Sequence, residues 1–439
     1  MQKFKYKLGV GFVMAISAIG VLLWVLAPST VFKFDNTLDV LRVLGQFFGI
    51  LGFTLFGTSL ILSAHFKFLE NFFYGLNKIY ERHSQIGQVA FMMLLFHPLL
   101  LLSNYNGYTF SGAINFFTPS NYWPINWGIF SLGLMILLIV LTLYLRPKYN
   151  IWKWTHKFMG LAFFFGAVHA FLIPSDIATY MPLRVYILAV FIFSIYSFIY
   201  HTILGKFLIK KYKYIVSGVQ VLGGNVTEVM LNPTGEKLAF TSGQFVFVIF
   251  QDKNVSSESH PFSLSSATDT DTLSFTIKNL GDFTSSLPNL EIGSSALIEG
   301  PFGKFSYKEA GSKNQNKKQI WIAGGIGVTP FLSMIYDVVK YPEYSVEFYY
   351  CLKNEKEAVH LEELKKLESE NNHIKIIPFY SDMSGFVNAS VVEKMSGGLK
   401  DKDIFICAPP VMIRVLRKQF LSLGVDSNLL HSEEFNLRD

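Results

Sequence analysis

The chain has 439 residues, enough for two or three domains, and at 51% hydrophobic with 43 phenylalanines it is too apolar for an ordinary soluble protein. Its formal net charge of +6 sits mostly in basic residues that flank apolar runs, so it marks membrane topology and not nucleic-acid binding. Two cysteines, Cys351 and Cys407, exclude a disulfide framework, a cysteine zinc site and a cysteine-ligated iron–sulfur cluster.

Six apolar runs of spanning length precede residue 206, at roughly 8–28, 41–64, 83–103, 127–145, 155–173 and 183–205, and predict a six-helix transmembrane bundle. The first run has no small-residue cleavage pattern and reads as a retained helix, not a signal peptide. Lys3, Lys5 and Lys7, then Lys67, Lys78 and Arg82, then Arg146, Lys148 and Lys153, then Lys206, Lys210, Lys211 and Lys213 fall on one side; the alternate loops hold only Lys33, Arg42 and Arg184. The positive-inside rule then predicts a multi-pass protein of the cell membrane, seated in the lipid bilayer with both ends cytoplasmic.

Two of these runs each carry a histidine near the start and another well inside. His83 and His97 are 14 residues apart, His156 and His169 are 13 apart, and on helices either spacing is roughly 20 Å along the axis. A neutral imidazole ligates iron without bringing charge into lipid, so the pattern predicts two stacked haems, the inner held by His83 and His156 and the outer by His97 and His169. Gly87 and Gly160, each four residues past the first histidine, lie on the same face and predict close approach of a porphyrin. Thirteen helical steps leave His169 about 140° from the face of His156, so the second helix must distort, with Gly166 as a place for it. The alternative is four helix-end or pore-facing histidines without metal. His65 and His201 read as interfacial side chains, and Phe163, midway between His156 and His169, as packing more than as a bridge between haems.

After Lys213 the pattern changes to short alternating strands, as far as Tyr307, which predict a small antiparallel β-barrel. The polar stretch 308–318 reads as a loop or linker, and from Gln319 strands alternate with helices, predicting a doubly wound α/β domain with a parallel sheet. The expected domains are 1–212, 213–312 and 313–439. In the barrel, His260-Pro261-Phe262-Ser263 can set an aromatic against a flat ring and a hydroxyl against a ring nitrogen. Lys278, Gly281 and Thr284 mark a glycine turn opening a helix, a place for a pyrophosphate. In the sheet domain a strand runs into Gly324, Gly325, Gly327, Val328, Thr329 and Pro330 and then a helix, with Cys407 and Pro409 closing a later strand at the same sheet edge. Taken singly, the two barrel motifs are equally well a strand and a capped turn.

In this order, after two histidine pairs, HPFS, KxxGxxT, GGxGxTP and Cys-x-Pro carry a resemblance. The soluble half is similar to the ferredoxin–NADP reductase superfamily, and the chain over roughly residues 40–435 resembles the ferric reductase/NADPH oxidase (NOX) family in its minimal bacterial form. The resemblance implies FAD at His260–Ser263 and Lys278–Thr284, and NADPH or NADH at Gly324–Pro330 and Cys407–Pro409. It implies that Phe435 is the closing aromatic over the flavin, here followed by four more residues. Lys353, ending the second strand of the sheet domain, is placed to meet a 2′-phosphate, which favours NADPH with NADH tolerated. Arg42 resembles a basic residue kept near the oxygen-reducing centre, or is an interfacial anchor; Leu101 stands where animal oxidases carry a further outer histidine.

The implied activity passes electrons from cytoplasmic NAD(P)H through FAD and two haems b to an outer acceptor, oxygen giving superoxide in preference to a ferric chelate or a partner protein at the outer face. With no calcium-loop sequence and no long regulatory segment before the first helix, activity is expected to be set by substrate supply; no obligatory regulatory subunit is expected either. A rival from another class, a proton channel or haem-handling transporter, would not need the flavin and nicotinamide motifs.

Overall fold

The computed structural model describes residues 2–28, 36–73, 75–102, 109–145, 147, 149–308 and 317–434. Two compact units divide at Ile209 and Lys210.

The first unit is helical. Its elements are α1 (Gln2–Val25), α2 (Thr37–Leu62), α3 (Lys67–Phe73), α4 (Leu76–Leu102), α5 (Phe110–Phe117), α6 (Trp123–Val140), α7 (Tyr149–His156), α8 (Met159–Leu172), α9 (Asp176–Thr179), α10 (Met181–Phe198) and α11 (Gly205–Leu208). Local chemistry sets several starts. The Asn36 side chain caps α2 by accepting from the Asp39 N–H, and Thr109 caps α5 by accepting from Gly112. Prolines occupy the first turns of α6 and α10, where a missing N–H costs nothing. The few polar side chains buried in this unit are satisfied locally, and apolar ones face outward as well as inward. Thr54, Thr58 and Ser194 are buried, each hydroxyl bonding a carbonyl four residues back at 2.7–2.8 Å, while Leu22, Leu137 and Phe193 are exposed, as lipid requires.

Five helices among the described residues are long and apolar enough to cross a membrane: Leu8–Val25, Thr37–Leu62, Leu76–Leu102, Trp123–Val140 and Met181–Ile203. The expected run at 155–173 is instead divided between α7 and α8, and the 14 residues of α8 reach only about 21 Å, short of a hydrocarbon core of about 30 Å. The break falls at Lys157 and Phe158, directly after His156. There Lys157, Phe158, Gly160 and Leu161 each donate to a carbonyl three residues back. This is the distortion that the thirteen-residue spacing demands: each such step turns about 120° where an α-helical step turns about 100°. Gly166 plays no part. It lies inside the unbroken α8, where a Cβ would sit 3.1 Å from Ser131 Oγ.

The second unit begins with six antiparallel strands: β1 (Tyr212–Leu222), β2 (Val226–Pro233), β3 (Phe245–Gln251), β4 (His260–Ser263), β5 (Leu273–Lys278) and, after the short α12 (Asp282–Ser286), β6 (Ser295–Phe302). They form one sheet in the order β4-β3-β6-β1-β2-β5. Just past the edge strand β4 the Ser265 N–H donates to the Ser274 carbonyl of the other edge strand, β5, at 2.9 Å, drawing the edges together around a core that includes Val229, Val246, Phe250, Phe275 and Ile298.

The rest alternates strand and helix: β7 (Lys318–Gly324), α13 (Thr329–Val338), β8 (Ser345–Leu352), α14 (Leu361–Glu370), β9 (Ile374–Tyr380), α15 (Ser381–Ser384), α16 (Ala389–Met395), β10 (Asp403–Cys407), α17 (Pro410–Ser422) and β11 (Leu430–Glu433). The five strands are parallel in the order β11-β10-β7-β8-β9. Strand order reverses between β7 and β10, and the crevice beyond their carboxyl ends is where such sheets bind ligands. Buried Asp337 on α13 ties this sheet to the first. It accepts from Ser242 Oγ at 3.1 Å and Tyr307 Oη at 2.8 Å and pairs with Lys308 Nζ at 2.7 Å.

Candidate functional site

In the helical unit α2 packs on α4 and α6 on α8, and these contacts aim the four histidines. His83 and His156 face each other with ring centroids 6.1 Å apart, His97 and His169 with centroids 6.5 Å apart, their planes crossing at 80° and 71°. The Nδ1 atoms of three rings lie close to backbone carbonyls: His83 to Ser59 at 2.8 Å, His97 to Gly45 at 2.7 Å, His169 to Pro124 at 2.7 Å. A carbonyl only accepts, so each of these rings carries its proton on Nδ1 and keeps the Nε2 lone pair free for a ligand. His156 is held differently. Its ring stacks on Trp152 at 5.4 Å, and its buried Nδ1 has no partner among the described residues.

Glycines on neighbouring helices make room for these imidazoles. A Cβ at Gly49 would stand 2.7 Å from His97 Nδ1, and one at Gly128 2.9 Å from His169 Nδ1. A Cβ at Gly87 would meet only Ser59 Oγ, at an ordinary 3.5 Å, and Gly160 makes room for the Phe198 ring, 2.6 Å from its would-be Cβ. Gly49 and Gly128 lie on the neighbouring helices, so spacing along the histidine helices does not point to them. Leu101 packs against Gly45. Arg42 lies 3.8 Å from Asp39 on its own helix, a partly exposed pair of little energetic weight. Phe163 is fully buried and stacks on Phe53 at 4.8 Å, inside an aromatic cluster with Phe56 and Phe191. His65 and His201 are brought together, ring centroids 4.0 Å apart, with Tyr80 hydrogen-bonded to His65.

In the second unit His260, Pro261, Phe262 and Ser263 form the edge strand β4, where Pro261 needs no ladder partner on its open side. The His260 ring stacks on Phe283 at 3.8 Å, and its Nε2 lies 3.0 Å from Glu258 Oε2. Phe262 stands 6.3 Å from both Phe275 and Phe283, so Phe283, which the motif reading passes over, completes the ledge. The Ser263 hydroxyl is buried and has no hydrogen-bond partner among the described residues. Lys278 ends β5, and the Thr284 hydroxyl accepts from Leu280 and Gly281 N–H at 2.9 and 3.0 Å. The glycine turn is thus closed on itself by Thr284, and those two N–H groups already have an acceptor.

At the reversal point the two expected nucleotide segments meet. A Cβ at Gly327 would fall 2.0 Å from the Cys407 carbonyl oxygen, and one at Gly324 2.8 Å from Ala408 and 3.0 Å from Pro409. Gly325 has φ +57° and open space around it. Val328, Thr329 and Pro330 are buried, with Thr329 Oγ1 donating to Ile326 at 2.7 Å, so they brace the loop. Lys353 is exposed just past β8. Burial pushes the Cys407 thiol well above its usual range, with the Glu433 carboxylate adding to the shift, and burial pushes Cys351 up to about 12; both stay protonated and unreactive at neutral pH. His431 bonds Asp403 at 2.7 Å in the core. Phe435 lies outside the described residues.

Residues 48–167 match the family described as ferric reductase like transmembrane component, residues 212–329 an FAD-binding domain, and residues 321–418 an oxidoreductase NAD-binding domain. The chain is similar to flavohemoprotein A of Dictyostelium discoideum, 29% identical over 150 residues, which are 34% of this chain and 36% of that protein. It is also similar to a component of the Na(+)-translocating NADH-quinone reductase of Haemophilus ducreyi, 29% identical over 165 residues, 34% of this chain and 39% of that one. The match thus spans well under half the length of either relative. A flavohemoglobin from Malassezia yamatoensis, solved with bound FAD and heme, shares the fold with a TM-score of 0.50 at 14% identity, over 90% of this chain and 97% of that one.

Proposed function

We propose, from the premise that this chain has the domain architecture of ferric reductase/NADPH oxidase proteins with their ferredoxin–NADP reductase type module, a specific route for a membrane-associated FAD- and NAD-dependent oxidoreductase. Electrons pass from cytoplasmic NAD(P)H by way of FAD and two b-type haems to an acceptor at the outer face. Oxygen, giving superoxide, is the preferred acceptor and a ferric chelate the second.

The observation that carries this reading is the pair of facing imidazole couples. Imidazoles that face at ring-centroid separations of 6.1 and 6.5 Å would together hold one iron between each couple. The Nδ1–carbonyl bonds support the same reading, because they fix ring orientation and leave Nε2 as the donor. Haem and flavin, when bound, supply single-electron transfer and hydride acceptance.

The chain's own residues hold and orient. Phe262, His260 and Phe283 offer a flat aromatic surface to an isoalloxazine, and the unpaired Ser263 hydroxyl offers a hydrogen bond to a ring heteroatom. In this reading Lys278 supplies charge to its pyrophosphate beside the Gly281–Thr284 turn, whose Leu280 and Gly281 N–H groups would have to leave Thr284 to donate to it. Gly324 and Gly327 let the loop pack against Cys407–Pro409, and Gly325, with open space around it, offers its backbone to a nicotinamide dinucleotide there, Lys353 meeting a 2′-phosphate in this reading. Arg42 belongs to the acceptor side and Phe435 to the flavin cover in this reading, with divisions near 212 and 312.

Purified full-length protein, supplied with haem and FAD in detergent, tests it. Anaerobic NADPH should shift the Soret band of bound haem to its reduced form. On admitting oxygen, dye reduction sensitive to superoxide dismutase supports the oxidase; its absence, with ferric chelate still reduced, selects the ferric reductase. Protein colourless in the Soret region ends the reading.

A further inference from the structure

The short helix α7 and the turn after it have three differently made sides. Trp152 and His156, four residues apart, carry the ring stack at 5.4 Å. Ile151 and Trp154, three apart, are 50% and 62% exposed, and Phe158 is exposed one turn further on. Lys153 and Lys157, again four apart, are both exposed on the remaining side. No acidic residue occurs from Leu141 to Ser175, so the neighbouring sequence offers these lysines no carboxylate.

The apolar stripe is continuous with the lipid-facing surface of the helical unit. Leu161 and Phe164 on α8 are exposed at the next helical positions, and Tyr144 and Leu145 are exposed just before α7. Tryptophan beside lysine, where such a surface meets polar chain, is the composition of a bilayer interface. An indole sits at headgroup depth, and a lysine stem lies along apolar surface while its ammonium reaches out to phosphate. Two ammonium groups one turn apart, about 6 Å along the axis, can meet one phosphodiester together. A zwitterionic headgroup brings its own ammonium and satisfies them less well.

What is seated here bears on the ligand couple. The Nδ1 atoms of His83, His97 and His169 are fixed by carbonyls, but that of His156 has no partner among the described residues, and its ring leans on Trp152 of the same helix. We propose that α7 is a binding site for an anionic phospholipid, with Lys153 and Lys157 donating to its phosphate and Trp154 against its glycerol region, and that the bound lipid sets the seat of His156. The lipid site stands on exposure, charge and continuity with the lipid-facing surface; its effect on His156 rests on the haem reading above.

Native mass spectrometry of full-length protein, titrated in detergent with phosphatidylglycerol, phosphatidylcholine or inorganic phosphate, tests the site. Phosphatidylglycerol should be retained in preference to phosphatidylcholine. Lys153→Gln combined with Lys157→Gln should weaken it about 25-fold, about fivefold per charge, and leave phosphatidylcholine unchanged. Trp154→Ala should weaken both lipids. These side chains are exposed, so melting temperatures equal to that of the parent are expected and check each variant. Redox titration of haem-loaded protein reads the second part: phosphatidylglycerol should shift the potential of the His83–His156 centre in the parent but not in the double variant, and leave the His97–His169 centre in place. Equal retention of the two lipids, displacement by inorganic phosphate, or undiminished phosphatidylglycerol binding in the folded double variant would overturn the site. An inner-centre potential indifferent to bound lipid would overturn its effect on His156. Protein that takes up no haem fails the electron-transfer reading, and that effect with it, while the lipid titration still decides the site.

Discussion

His97 and His169 face each other with ring centroids 6.5 Å apart, each ring turned by an Nδ1 contact of 2.7 Å to a carbonyl on the neighbouring helix. His97→Ala is therefore expected to remove about half the Soret absorbance and leave the His83–His156 couple intact, since each haem has its own ligands. His83→Ala should do the reverse, and all four replacements together should give colourless protein. Haem content by pyridine haemochrome, with redox titration to identify the surviving centre, is the measurement. Full retention in the quadruple variant would contradict the assignment.

Gly49 and Gly87 separate ring clearance from porphyrin clearance. Gly49→Ala places a methyl 2.7 Å from His97 Nδ1 and must turn or shift that imidazole, whereas Gly87→Ala meets only a hydroxyl at 3.5 Å. The first should lower outer-centre haem occupancy or shift its potential. The second should leave the spectrum unchanged and keep, or slightly raise, stability, alanine being the better helix former by about 1 kcal/mol. The converse outcome would mean that the porphyrin face runs along Gly87.

At the sheet reversal, Gly327→Ala drives a methyl to 2.0 Å from the Cys407 carbonyl oxygen, a backbone atom that cannot step aside. A destabilisation of about 1–3 kcal/mol is expected from such overpacking, together with a large loss in kcat/KM for NADPH as the crevice opens. Gly325→Ala has free space but φ +57°, so about 1 kcal/mol of strain is expected, with a smaller kinetic effect. Thermal melting and steady-state kinetics on the two variants would rank them; equal effects would show that the Gly327–Cys407 contact is dispensable.

The soluble unit should lose stability in alkali. Burial, with the Asp337 carboxylate adding for Tyr307, raises the phenol pKa of Tyr307, Tyr336 and Tyr349. An unfolded chain ionises its tyrosines near pH 10 while these buried phenols stay neutral, so their contribution is whole below about pH 10 and falls as pH rises beyond it. Melting temperature should hold between pH 7 and 9 and decline above 10, less steeply in Tyr349→Phe. Asp337→Ala, which strands the Tyr307 and Lys308 donors, should cost about 3 kcal/mol at neutral pH.

Much of this molecule is readable along the chain. Apolar runs, alternating strands and strand–glycine–helix junctions are products of neighbours a few residues apart, so the order of modules and the two histidine pairs follow from spacing alone. Even the strain in the thirteen-residue interval is legible, because helical pitch is a local constant. Where that strain is released is not: the turn at Lys157–Phe158 takes it, and Gly166 stays helical.

The tertiary structure alone decided which glycines matter and what the histidines lean on. Gly45, Gly49 and Gly128 act on rings carried by other helices, Gly327 acts on a strand 80 positions later, and Phe283 reaches His260 across the sheet. Such contacts are set by which elements the fold lays side by side, a property of topology that no periodicity along one segment encodes.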